Sequence, residues 1–311
     1  MMTFVRQLLD SIKEKKSPVC MGLDPRMGNE NQIPEYIIEQ YQIPDKVILE
    51  FNKVLIDHTY DLIPIIKPQI AFYEKYDALN ALKETIKYAH KNDLLVLLDS
   101  KRNDIGSTSK AYAESQFEGY NADACTINAY FGKDGISPFL EYKNNGKFVL
   151  VKTSNPSSKD FQDLFSVRID SISSETTELK LDNVSRDLIL KRNYIRMAEL
   201  IQKWGRELDR FKGYHNLGVV VGATYPQELN SIRKIVKNSI ILIPGYGAQG
   251  ATAKDVKYGF DHQGLGAIIN SSRGIMFAYA QNDNYPPEKF AEAAREEILE
   301  MKKKINKEIM K

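Results

Sequence analysis

Four charged residues in two short stretches have the types and spacing for chemistry. Lys67 lies inside LIPIIKPQI, and Asp99, Lys101 and Asp104 lie inside LLVLLDSKRNDIGSTSKAYA (94–113). A continuous apolar run that ends in a polar turn is the pattern of a strand buried on both faces. Period two sets Asp99 and Lys101 on one side of that strand's end and Ser100 on the other. Asp104 falls just beyond, where a helical pattern begins. Opposite charges converging on a buried strand end are expensive to desolvate, so they are kept when paired or when they carry function. The structural alternative is a salt-bridged strand end that closes a core. In either case alternating signs keep all four groups ionised. A Schiff-base lysine needs a lowered pKa, and flanking carboxylates act the other way. A protonated lysine held against carboxylates is suited to stabilising a developing carbanion and then giving it a proton.

A second constellation is GYGAQG (245–250) followed by SSRG (271–274). Gly245, Gly247 and Gly250 let backbone approach an anion closely, or serve only as turn formers. Gln249 offers a neutral amide donor, and Arg273 a fork matched to phosphate oxygens. In a (β/α)₈ barrel, the loops after the seventh and eighth strands commonly bind phosphate.

Such residues need a scaffold. The chain has 311 residues, 42% hydrophobic and 27% charged, which is ordinary globular composition. A net charge of +2 gives no global field that would mark nucleic acid or membrane as a partner. The N-terminal stretch lacks the apolar core of a signal peptide, and no apolar run approaches the ~18 residues of a membrane span. Cys20 and Cys125 sit in apolar strand-like contexts and form no metal spacing. His58, His90, His215 and His262 are scattered and read as surface or helix-face residues, which argues against a metal site or a Ser-His-Asp triad. No phosphate-binding P-loop or dinucleotide fingerprint is present, so a soluble, cytoplasmic, cofactor-free protein is expected.

Apolar runs predict eight strands, at 18–24, 62–70, 94–99, 124–129, 147–153, 217–223, 240–244 and 266–270. Helical patterns alternate with them: 3–16, one capped by Asp45, 74–91, one from Asp104 to about Glu118, a short one from about Ser137, 182–208 and 226–237. Residues 25–45 read as loop. The alternation indicates a single (β/α)₈ TIM barrel over 1–311, with a doubly wound open sheet as the alternative. The barrel is favoured because Asp24, Lys67, Asp99, Lys101, Ser154, Gln249 and Arg273 all follow or end strands and would share one rim. The pattern breaks at 157–181, a polar insertion after the fifth strand that reads as a possible lid or as surface ornament, and 286–311 reads as a C-terminal helix.

DSKRNDIGSTSKAYA resembles the signature of the orotidine 5′-monophosphate decarboxylase family in its longer bacterial form, the type 2 subfamily. GLDPR, IKPQIAFYE, KTSNP, VVGAT, IPGYGAQG and NSSRG resemble the same family in order along the chain. The resemblance implies cofactor-free conversion of orotidine 5′-monophosphate to uridine 5′-monophosphate, the last step of de novo UMP synthesis. It implies that Lys67, Asp99, Lys101 and Asp104 form the catalytic tetrad, with Lys101 protonating C6, Asp99 beside the substrate carboxylate, and Lys67 and Asp24 on the ribose hydroxyls. Ser154 would read the pyrimidine edge, Gln249, Arg273 and Gly274 would grip the phosphate, and Ile105 and Pro244 would form an apolar wall. It further implies a homodimer with shared sites, Asp104 and Thr108 reaching into the neighbouring subunit's site. The polar SISSETTELK run departs from the family pattern. The alternatives are a metal-using phosphosugar enzyme on the same barrel, such as a hexulose-phosphate synthase, and a non-catalytic nucleotide sensor.

Overall fold

The computed structural model describes residues 2–28, 32–167 and 189–310. Eight parallel strands close into a barrel: β1 (Val19–Leu23), β2 (Ile65–Pro68), β3 (Leu95–Arg102), β4 (Ala124–Ile127), β5 (Gly146–Lys152), β8 (His215–Val221), β9 (Ser239–Pro244) and β10 (Ala267–Ser271). A two-stranded antiparallel ribbon, β6 (Phe165–Ser166) and β7 (Lys191–Arg192), stands outside it. The surrounding helices include α1 (Phe4–Lys15), α2 (Glu35–Tyr41), α3 (Pro44–Thr59), α4 (Ile70–Lys75), α5 (Leu79–Lys91), α6 (Gly106–Glu114) and α7 (Lys133–Leu140). They continue with α8 (Asn193–Trp204), α9 (Pro226–Ile235), α10 (Ala253–Val256), α11 (Arg273–Met276) and α12 (Phe290–Ile309). The architecture is the (β/α)₈ barrel.

The strands are buried on both faces, as their unbroken apolar runs require. Outward side chains pack under the helices. Inward ones, including Cys20, Ile65, Leu97, Phe148 and Leu242, form a second cluster together with Phe4, Val5, Leu8 and Leu9 of α1. Helix α1 is therefore a plug at one end of the barrel. Phe4 meets Phe148 edge-on at 6.0 Å, and the Val5 amide donates to Asn216 Oδ1 at 2.9 Å. A Cβ on Gly146 would lie 2.4 Å from the Phe4 ring, so this glycine makes room for the plug. With that end sealed, the opposite rim is left for chemistry.

Several local expectations are corrected. The stretch 25–45 contains α2, and α3 starts at Pro44, whose fixed φ suits a first helical turn. Asp45 is not the cap of α3. It lies in the first turn and accepts from the Ala81 amide at the start of α5, 2.6 Å away. The helix expected over 74–91 is two helices, parted where Asp77 adopts φ 51°. Of the helix expected over 182–208, residues 182–188 lie outside the described residues, 191–192 are strand, and α8 begins at Asn193. His215 is neither a surface nor a helix-face residue: it lies in β8 and is 1% exposed. Residues 168–181 of the insertion also lie outside the described residues. Both cysteines are buried and free, and burial pushes their thiols up to about 12.

Candidate active site

The ends of β2 and β3 bring Lys67, Asp99 and Lys101 into contact. Lys67 Nζ donates to Asp99 Oδ2 at 2.7 Å, and Lys101 Nζ donates to Asp99 Oδ1 at 2.6 Å. Lys67 and Asp99 are buried, with side chains 5% and 10% exposed, whereas Lys101 is 44% exposed. The register between β3 and β4 shifts between Leu98 and Arg102, and Lys101 takes a left-handed backbone at φ 49°. That bulge turns the lysine back over Asp99, in a backbone conformation uncommon for a residue with a side chain.

Burial alone would raise the Asp99 pKa, but the two adjacent ammonium groups outweigh it and hold the carboxyl well below its ordinary range. Burial likewise disfavours charge on Lys67, yet Asp99 and Asp24 overcome it and raise the lysine above its ordinary value. Asp24, just after β1, is pushed up by burial, an effect only partly offset by Lys67 and the Ser272 hydroxyl. Its Oδ1 is buried without a hydrogen-bond partner among the described residues, an acceptor suited to a ligand hydroxyl.

Asp104 stands apart from this triad within the chain. Its Oδ1 accepts from the adjacent Ile105 amide at 2.8 Å, and no contact with Lys67, Asp99 or Lys101 is present. Ile105 is 61% exposed, and Thr108 is exposed on α6. Gly135, at the start of α7, draws this segment toward an exposed aromatic cluster: its Cβ position is 3.1 Å from the Asp104 carbonyl oxygen and 3.0 Å from Phe131 Cβ. Phe131 and Phe161 each contact Tyr130, and all three are more than half exposed.

Across the rim, Gly245, Gly247 and Gly250 all have positive φ, so the loop after β9 follows a path side chains would resist. Gln249 folds back over it, its Oε1 2.8 Å from where a Gly245 Cβ would sit. Arg273 opens α11, is exposed, and its guanidinium has no partner among the described residues. Gly274 lies beside the Ser271 hydroxyl, and half-buried Pro244 ends β9. Ser154 follows β5 and presses against β8's exit: a Cβ on Gly222 would lie 2.9 Å from the serine backbone. A cleft of about 690 Å³ behind the glycine loop, between Gly247, Ala248, Gly274 and the acidic face of α12, does not include the Lys67–Asp99–Lys101 triad. No group of three or more His, Cys, Asp and Glu side chains is arranged to hold a metal among the described residues.

Three residues at this rim were not singled out from sequence. Lys152 is fully buried at the end of β5, donates to Asp163 (2.8 Å) and Ser158 (3.0 Å), and lies 4.4 Å from the centre of the Tyr225 ring. Gln162 exchanges two hydrogen bonds with Thr153, at 3.0 and 2.8 Å. These contacts pin the start of the insertion to the barrel. Thr126 of β4 donates to Asp99 Oδ1 at 2.8 Å. A lysine in the apolar run KFVLVKT was the one signal available for Lys152; nothing local marks Thr126.

The sequence profile of the orotidine 5′-phosphate decarboxylase / HUMPS family matches residues 17–284. An orotidine 5′-phosphate decarboxylase from Petrotoga mobilis is 40% identical over 301 residues, covering 95% of this chain and 96% of the relative. One from Clostridium tetani is 38% identical over 299 residues, covering 94% of each. Among solved structures, the Leishmania donovani OMP decarboxylase superposes with a TM-score of 0.70 at 30% identity, covering 97% of this chain and 99% of that one.

Proposed function

From the premise that the chain belongs to the orotidine 5′-phosphate decarboxylase / HUMPS family, we propose that it removes the C6 carboxyl group of orotidine 5′-phosphate without a cofactor and closes UMP synthesis. The decarboxylase activity named for its full-length relatives selects that branch of the family. The observation that carries the mechanism is Asp99 clasped between two ammonium groups, one of them still open to a ligand.

Loss of carbon dioxide leaves a carbanion at C6 with no adjacent electron sink. Lys101 stabilises that charge as it develops and then donates its proton to C6. Asp99 fixes the ammonium and stands beside the departing carboxylate. Lys67 and the unpartnered oxygen of Asp24 take the ribose hydroxyls. Ser154 reads the pyrimidine edge, and Ile105 and Pro244 make the apolar wall. Gln249, Gly274 and the exposed guanidinium of Arg273 hold the phosphate. Slow uncatalysed reactions demand ~20 kcal/mol or more of barrier reduction. Phosphate contacts made mainly in a closed state contribute to rate and not only to affinity.

The same reading makes the working unit a homodimer with shared sites. Asp104 touches none of the triad in its own chain, and Ile105, Thr108 and the Tyr130–Phe131–Phe161 cluster are exposed on its side of the rim. Burying that face against a second copy would carry Asp104 and Thr108 to the neighbour's site. No helix among the described residues is long and apolar enough to cross a membrane, and the site is proposed to work in the cytoplasm on a small nucleotide, not on nucleic acid.

The test is product analysis with substrate carrying carbon-13 in its carboxyl group. One labelled carbon dioxide and one uridine 5′-phosphate per substrate consumed is expected. Turnover of a hexulose phosphate with added magnesium, and none of the nucleotide, overturns the proposal in favour of the other branch.

A further inference from the structure

Thr126 is 1% exposed, in the middle of β4, and reaches across to the bulged end of β3. Its Oγ1 lies 2.8 Å from Asp99 Oδ1, 3.0 Å from the Ser100 amide nitrogen and 3.0 Å from the Lys101 amide nitrogen. A hydroxyl has one proton to give and two lone pairs to share. The two amides can only donate, so they take both lone pairs. The proton is then directed at the Asp99 carboxylate, which is held ionised by its lysines. No hydrogen-bonding capacity is left over. One side chain thus fixes the orientation of Asp99 and pins the two backbone amides that turn Lys101 into its left-handed conformation. Without that turn the lysine at a β3 position would leave Asp99 Oδ1, the oxygen it shares with Thr126.

We infer that Thr126 is a positioning residue of the decarboxylation site, its hydroxyl setting the Asp99–Lys101 pair in the geometry that serves proton delivery. The inference rests on the reaction proposed above. Among the described residues Thr126 makes no hydrogen bond to Lys67 or to the phosphate-side loops, so its effect is expected on the chemical step and not on nucleotide affinity. Serine preserves all three hydrogen bonds. Alanine and valine remove them, valine with the threonine shape retained and alanine with the same missing methyl as serine.

The experiment compares Thr126→Ser, Thr126→Ala and Thr126→Val in kcat for orotidine 5′-phosphate, in affinity for uridine 5′-phosphate, and in crystal structures. Misplacing a reacting group by about 1 Å costs roughly 100-fold in rate. The expected result is kcat lowered about 100-fold in the alanine and valine variants and within about threefold of the parent for serine. Product affinity should stay within about threefold in all, and Lys101 should leave positive φ in the alanine or valine structure. Near-parental kcat in alanine or valine overturns the inference. So does a parallel loss of kcat and product affinity, or failure of both to fold while serine folds, since each marks a structural role only. An inactive parent overturns the decarboxylase reading instead; the positioning role is then decided by the structures, and Lys101 retained at positive φ without the hydroxyl refutes it.

Discussion

Replacing Lys101 by alanine separates the functional reading of the charge cluster from the structural one. Proton delivery by a positioned acid is worth about 10²–10⁴ in rate. A preorganised positive group facing the developing charge is worth about 10²–10³ more. Together they predict a kcat loss of at least ~10⁴, or more than ~5 kcal/mol of barrier. The cost to stability should be small. The Lys101 side chain is 44% exposed, so its ion pair with Asp99 contributes no more than ~1 kcal/mol. Asp99 keeps Lys67 at 2.7 Å and Thr126 at 2.8 Å, so no buried charge is orphaned. The left-handed backbone adds nothing either way, because alanine bears the same steric penalty there as lysine. Initial rates, urea unfolding and titration with uridine 5′-phosphate measure the three quantities. Turnover of the variant above about 1% of the parent's would refute the proton-donor argument. An unfolding free energy lowered by about 3 kcal/mol or more would return the cluster to a structural ion pair of the buried kind.

Arg273→Ala removes a charged donor with no partner among the described residues, so stability should hold while affinity for uridine 5′-phosphate falls by about 1.5–3 kcal/mol. Uridine, lacking the phosphate, should bind the variant and the parent alike in calorimetric titrations. Mixing inactive Lys101→Ala and Asp104→Ala chains should restore roughly a quarter of parental activity if sites are shared in a two-fold dimer; no recovery after subunit exchange would place Asp104 in its own chain's site. Burial, the largest influence on His215, lowers its pKa from 6.5 to about 4. A folded-state value below the unfolded one means the unfolded chain takes up the proton first. Stability on this account is full above about 6.5 and is lost as pH falls toward 4, by about 2 kcal/mol at pH 5. Urea unfolding at pH 5 and 7 should show that difference shrinking in His215→Gln.

The barrel was legible because strands buried on both faces leave runs such as IILIP and GAIIN that stand out from flanking polar turns. Strand ends marked the rim, and of DSKRND the structure brings Asp99 and Lys101 together there while Asp104 stands apart. What was not legible depends on contacts distant in sequence. α1 reads as any amphipathic helix, and residues far along the chain, among them Gly146, Phe148 and Asn216, make it a plug. α2 forms in a stretch bordered by Gly, Asn and Pro because Ile37 has a core to enter, not because of local propensity. The break at Asp77 requires a left-handed aspartate, which apolar periodicity across 74–91 conceals. Asp99 and Lys101 share a side as period two dictates, but by way of a bulge held from β4, so Thr126 carries no signal in its own neighbourhood. Asp104 accepts from the adjacent Ile105 amide and reaches none of the triad, and the Arg273 guanidinium has no partner among the described residues; on the proposed reading a second copy gives the first its role and a phosphate the second.

In the proposed mechanism fixed protein charge alone drives the decarboxylation. The measurement that reaches it most directly is the initial rate of loss of the orotate absorbance of orotidine 5′-monophosphate, taken on chelator-treated protein with and without added divalent metal. Full conversion to uridine 5′-monophosphate at the same rate in both conditions is expected. A protein that binds uridine 5′-monophosphate but leaves the orotate chromophore untouched, or that turns over only when metal is returned, would contradict it.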